Sequence, residues 1–224
     1  KIILKYLIPK WMCIFQGKGN RMEIKLFTNH DTQGNSYVVE KGKDCYIVDP
    51  GGRNMSPVID YIKEKDLNLV AILLTHGHFD HIIGTPEILE YKDVPVYISE
   101  KGYDFLYDPN LSLSTWIRMD FRLSKDVKVI KMKEGDEVFG FKIIEIPGHT
   151  HGDICFYDEQ EKIMISGDII FKGGSYGRTD VPTGNYEDLK KSIAKLMKMD
   201  GDIRVYPGHG SYTYIKDERK YHNY

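Results

Sequence analysis

The sequence predicts an α/β fold with two layers of sheet or more, and three observations carry that prediction. Apolar or alternating runs of strand length recur through both halves of the chain, from EIKLF at residues 23–27 to IRVY at 203–206. Helical periodicity appears between such runs in each half, which is the pattern of helices laid over sheets. One run, LVAILL at Leu69–Leu74, is apolar throughout, as a strand covered on both faces must be. With 224 residues the chain can build one sizeable core.

In order along the chain, EIKLF alternates, YVVE follows Gly34-Asn35, and CYIVD runs into Pro50-Gly51-Gly52. Ser56-Pro57 reads as a helix cap and first turn, with Val58, Ile59 and Ile62 on one side. After LVAILL comes THGHFDHIIG, then a helix to about Tyr91 and the short strand VPVYI. Residues 103–125 show no clear period and read as a functional loop or loose helical insert. The second half supplies VKVIKM, FKIIEI, ICFYD and KIMIS as strands and a Gly-rich loop from Lys172 to Gly184. A helix then starts near Asn185, with Leu189, Ile193, Leu196 and Met197 on one face and its lysines as solvated surface. The domain is expected to span 22–224. Residues 1–21 form an extension whose apolar stretch, broken by Lys5, Pro9 and Lys10, is too interrupted for a membrane span.

Composition narrows the partners. The 31 basic and 33 acidic residues balance to a formal charge of -2, so no general pull toward nucleic acid or an anionic membrane is expected, and a small-molecule substrate is. Cys13, Cys45 and Cys155 form no C-x-x-C pair; they read as small buried hydrophobes in a reducing, cytoplasmic compartment.

The chemistry is concentrated in THGHFDH. In an extended segment residues i and i+2 point the same way, so His76 and His78 can grip one metal ion, and a turn at Phe79 lets Asp80 and His81 face a second point. Downstream, His149 follows the strand KIIEI, Asp168 follows KIMIS and His209 follows IRVY, each flanked by glycines that let the backbone turn. Strand ends set side by side can focus these groups on one place. Seven ligands are too many for one ion and suit two divalent ions sharing a carboxylate; zinc accepts such donors, and iron or manganese tolerates them.

The set THGHFDH, PGHTHGD, SGD and YPGHG resembles the metallo-β-lactamase superfamily, in order, from about Met22 onward. That resemblance implies an αββα sandwich with a dinuclear site at its edge. By it, His76, His78 and His149 would bind the first metal, Asp80, His81 and His209 the second, and Asp168 would bridge them. Asp49, in VDPGG, would orient a ligand from behind; the alternative is a turn-forming Asp before Pro. His151 imitates the i, i+2 pairing with His149 but is expected beside the mouth and not as a ligand.

Within the superfamily, an aspartate at the bridging place argues against the zinc β-lactamases, and FKGGSYGRTD with YPGHGSYT is similar to the short glyoxalase II-like proteins. With about fifteen residues after His209, the glutathione-binding helical domain of the full-length enzymes is not expected here. Arg178 falls at the place of a lysine that meets a glutathione carboxylate there; its alternative role is an ion pair with Asp180. The expected activity is hydrolysis of an S-(2-hydroxyacyl)glutathione or related thioester by a metal-bridging hydroxide, which Asp80 and Asp168 would orient. Two rivals remain: a lactone or other ester hydrolase, and a mono-iron persulfide dioxygenase ligated by His76, His149 and Asp168. The glycines in Pro207-Gly208-His209-Gly210 favour the hydrolase.

Overall fold

A computed structural model describes residues 21–222 of the chain. Apart from Arg21, the N-terminal extension lies outside the described residues, as does Cys13.

Two six-stranded sheets form the centre. In the first, β1 (Glu23–Thr28), β2 (Asn35–Lys41) and β3 (Asp44–Val48) run antiparallel, and β3, β4 (Asn68–Leu73), β5 (Val96–Ser99) and β6 (Val129–Met132) run parallel. Parallel neighbours need crossovers. Helix α1 (Ser56–Glu64) links β3 to β4; α2 (Phe79–Ile82) and α3 (Thr85–Tyr91) link β4 to β5. The second sheet has the order β12 (Thr213–Tyr214), β11 (Arg204–Pro207), β10 (Ile163–Gly167), β9 (Ile154–Asp158), β8 (Phe141–Glu145), β7 (Glu137–Val138). Helices α4 (Tyr186–Met197) and α5 (Ile215–Glu218) complete it.

Because side chains alternate across a strand, each sheet feeds two cores. Tyr37, Val39, Val48 and Leu73 of the first sheet meet Phe141, Ile143, Phe156 and Ile165 of the second in the middle layer. On the outer face of the first, Val38, Ile47 and Ile72 pack under Val58, Ile62, Ile82 and Ile88 of α1, α2 and α3. On the outer face of the second, Cys155 and Met164 pack under Leu189, Ile193 and Leu196 of α4. Helix, sheet, sheet, helix is the αββα sandwich. Cys45 and Cys155 are buried within it as free thiols.

The structure differs from the sequence reading in detail. Ser56 is the first residue of α1 and not its cap; Met55 stands at the cap position without a side-chain hydrogen bond, and Pro57 occupies the first turn, where a missing N–H costs nothing. The expected single helix to Tyr91 is two helices, broken at Gly84, whose N–H donates to Pro50 O at 2.8 Å. Residues 103–125 contain two one-turn 3₁₀ helices, Tyr103–Leu106 and Ser114–Ile117, the second flanked by Leu113 and Arg118 in left-handed conformation. No helix among the described residues is long and apolar enough to cross a membrane.

Candidate metal centre

Ends of both sheets deliver the site. The segment after β4 carries His76 and His78, and the one-turn α2 carries Asp80 and His81, so the expected turn at Phe79 is a helical one. From the second sheet, the loop after β8 brings His149, the end of β10 brings Asp168, and the turn after β11 brings His209. Ligand atoms of His76, His78 and His149 lie within 4.8 Å of one another, and so do those of Asp80, His81 and His209. Between these groups stands Asp168: its Oδ2 is 3.6 Å from His149 Nε2 and 3.4 Å from His209 Nε2, and its Oδ1 is 3.4 Å from His81 Nε2.

Hydrogen bonds behind the imidazoles fix which nitrogen faces the centre. His149 Nδ1 donates to Arg178 O at 2.6 Å, His209 Nδ1 to Gln33 O at 2.8 Å, and His81 Nδ1 to Asp49 Oδ2 at 3.0 Å. The Thr75 hydroxyl donates to Asp49 Oδ2 at 2.6 Å, so at 3.1 Å from it His76 Nδ1 is the donor. In His76, His81, His149 and His209 the Nδ1 side is thus spent behind the site, so Nε2 is the nitrogen that faces inward, as a metal ion requires. His78 is reversed, with Nδ1 2.8 Å from His149 Nε2.

The protein itself does not satisfy these atoms. His76 Nε2, His81 Nε2 and Asp168 Oδ1 are buried without a hydrogen-bond partner. Each such orphan costs roughly 1–3 kcal/mol, and adjacent ones are explained together by a cation among them. The nitrogen and carboxylate set suits zinc, iron or manganese, and the arrangement fits a dinuclear metal site.

Electrostatics divide the two clusters. Burial, with the neighbouring imidazoles His81 and His78, holds His76 well below the usual histidine range, and burial together with His149 holds His78 at about 3. For His81 burial opposes the charge, but Asp168 and Asp80 outweigh it and raise the group to about 9. His209 likewise overcomes its burial through hydrogen bonds and attraction to Asp168 and Asp80, rising to about 11. In the first cluster His76 and His78 are held neutral; the second cluster contains the carboxylate of Asp80 beside His81 and His209.

Asp49 sits behind the site, at φ +52°, a left-handed conformation unusual outside glycine. Its Oδ1 accepts the Thr75 N–H at 2.8 Å while Oδ2 serves both Thr75 and His81. The glycines beside the ligands serve both turning and space: Gly167 and Gly210, next to Asp168 and His209, lie at φ +53° and +74°. A Cβ at Gly208 would lie 2.0 Å from Asp168 Oδ1, and one at Gly177 2.7 Å from His149 Nδ1.

At the rim, His151 Nε2 stands 2.8 Å from Lys101 O and belongs to neither cluster. Arg178 closes on Asp180 through two 2.7 Å hydrogen bonds, with its guanidinium 5.2 Å from the Trp116 ring. A separate cavity of about 420 Å³, lined by Arg21, Glu23, Arg204, Tyr206 and Tyr214 among others, contains none of the site residues. The supports carry no sequence signal of their own: Thr75 opens THGHFDHIIG ahead of the ligand candidates, Asn35 stands in the Gly34-Asn35 step before YVVE, and Gln33 acts only through its carbonyl, which no side-chain pattern signals.

Two donor clusters meeting at one carboxylate, on the shared edge of an αββα sandwich, fit a metal centre of the dinuclear class. The chain belongs to the metallo-beta-lactamase superfamily, whose family model matches residues 30–209. It is 35% identical over 200 residues to hydroxyacylglutathione hydrolase GloC of Haemophilus influenzae, covering 84% of this chain and 90% of that one. Among solved structures it is similar to the BLEG-1 B3 metallo-beta-lactamase, with TM-score 0.82, 30% identity, and coverage of 90% of this chain and 98% of that one. TTHA1623 in a di-iron-bound form is similar at TM-score 0.79 and 32% identity, covering 89% and 98%. The chain is a metal-dependent hydrolase of this superfamily.

Proposed function

We propose that the protein hydrolyses an acyl thioester, an S-(2-hydroxyacyl)glutathione or a close relative, in a reducing compartment of the cell. The carrying observation is the pair of donor clusters sharing Asp168, which supports a ligand set of His76, His78 and His149 for one ion, Asp80, His81 and His209 for the other, and Asp168 for both. The 35% identical relative named as a hydroxyacylglutathione hydrolase supports the substrate class. Bound there, two divalent ions supply a water made acidic near neutral pH and a Lewis acid for a carbonyl oxygen.

The chain's own residues do the rest. Asp80 is the more open carboxylate, its side chain 18% exposed against 8% for Asp168, and it would accept a hydrogen bond from the attacking water and orient it. Asp49 keeps the His81 proton on Nδ1. A thiolate leaves without help, so no general acid is required. Arg178 meets a carboxylate of the thiol carrier by exchanging it for Asp180.

The test is metal analysis together with S-lactoylglutathione cleavage, read as release of free thiol. About two ions per chain and thiol release are expected. One iron per chain with oxygen uptake on glutathione persulfide would replace this reading with the dioxygenase, and cleavage of lactones alone would change the substrate class.

A further inference from the structure

The two clusters are not held equally. His76, His78 and His149 are almost fully buried, whereas the His209 side chain is 29% exposed and rides on a turn, Pro207 to Gly210, at the edge of the second sheet. What fixes that turn comes from the other sheet. The Asn35 backbone N–H donates to Gly208 O at 2.7 Å, and its side-chain Nδ2 lies 3.0 Å from Pro207 O and 2.9 Å from Gly210 O. Tyr37, two residues along the same strand face, donates its hydroxyl to Pro207 O at 2.5 Å and stands 3.2 Å from Asn35 Nδ2. Thr28 donates to Asn35 Oδ1 at 3.2 Å, which sets the amide with its nitrogen toward the turn. Asn35 itself is 1% exposed.

The donors of this buried residue are therefore spent on gripping both sides of His209, with the amide oxygen anchored on Thr28. An interior amide that only filled space would be replaced by an apolar group without loss, and one that left donors unmatched would cost about 1–3 kcal/mol. Here both amide hydrogens and the backbone N–H end on the carbonyls of a single four-residue turn. Among the described residues the first cluster's histidines take no hydrogen bond from Asn35: His149 is held through Arg178 O and its loop through Asn185 N–H to Gly148 O at 2.8 Å.

We propose that Asn35 is a positioning residue that sets the affinity of the second metal position, the one served by His209, without governing the first. This inference rests on the ligand set given under Proposed function. Outer supports of this kind change metal affinity by about 10–100-fold when removed.

Metal-free protein is titrated with Zn²⁺ against a chromogenic chelator, with circular dichroism confirming the fold. Wild type should take up two equivalents tightly. Asn35→Ala should keep the first equivalent unchanged and bind the second about 10–100-fold more weakly. Should the alanine variant not fold, Asn35→Asp keeps the shape but sets a carboxylate oxygen against two carbonyls, and Tyr37→Phe removes one bond only; both should show the same selective loss, the second more mildly. Two unchanged equivalents in a folded Asn35 variant, or equal weakening of both, overturns the inference while leaving the dinuclear reading intact. A wild-type chain that saturates at one ion overturns both.

Discussion

At the scale of single residues, the site separates into groups that await a cation with a proton on board and groups that do not. In the metal-free chain at neutral pH, His81 at about 9 and His209 at about 11 are protonated, because Asp168 and Asp80 outweigh burial. An ion entering the second cluster must expel both protons. Its affinity should therefore fall about tenfold per unit as pH falls from 11 to 9, where one proton is expelled, and about a hundredfold per unit below 9, where two are. His76, held well below its usual range, and His78, at about 3, have no proton to lose near neutrality. Calorimetry in two buffers of different ionisation enthalpy should show close to two protons released with the weaker equivalent at pH 7 and a flatter pH dependence for the tighter one; identical pH slopes would rule this out. Asp168 stands between the two clusters, so if it bridges them Asp168→Ala should lower total metal content and abolish cooperation between the ions. Two full equivalents in that variant would remove its bridging role.

Among elements, the Gly-rich loop shows how a ligand is held from a distance. Gly173 and Gly174 donate their N–H groups to Glu218 of α5 at 3.0 and 2.7 Å, and Thr213 donates to the same carboxylate at 2.5 Å. Further along the loop, Gly177 N–H donates to Asp168 O at 2.8 Å and Arg178 O receives His149. Glu218 is 1% exposed, so Glu218→Ala strands the buried Thr213 hydroxyl and releases the two glycine N–H groups nearer the surface, and should cost about 1–3 kcal/mol in chemical denaturation, with Glu218→Gln recovering much of it. A loss under about 0.5 kcal/mol would show that the loop holds without this anchor. The sequence hid this role because Glu218 lies in the charged run DERKY, whose simplest reading is solvated surface. Strands such as CYIVD and KIMIS were legible because their apolar runs are dictated by burial on both faces. The break at Gly84 was not, since it depends on the Pro50 carbonyl, and neither were β7 and β12, two-residue strands defined only by their pairing partners.

For the whole molecule, the placement of the seven site residues has an energetic consequence. His76, His78, Asp80 and His81 belong to the first sheet's side and His149, Asp168 and His209 to the second's, so each cluster contains donors from both. This was legible as a list of strand ends, yet which ends meet is settled by packing of the two sheets through Tyr37, Val48, Phe156 and Ile165. Ions bound across that seam tie the halves of the sandwich together and bind the folded state alone, because the unfolded chain scatters the donors. Linkage then fixes the size of the effect: free metal at 100 times its dissociation constant stabilises by about 2.7 kcal/mol per site. For a domain of this size that corresponds to a rise of about 5–11 °C in melting temperature, at about 2–4 °C per kcal/mol. Chelation should reverse the rise, and the rise should shrink in Asp168→Ala, where neither cluster keeps its shared carboxylate. A melting temperature indifferent to chelator in wild-type protein shown to contain metal would mean that the ions lie elsewhere than across the seam.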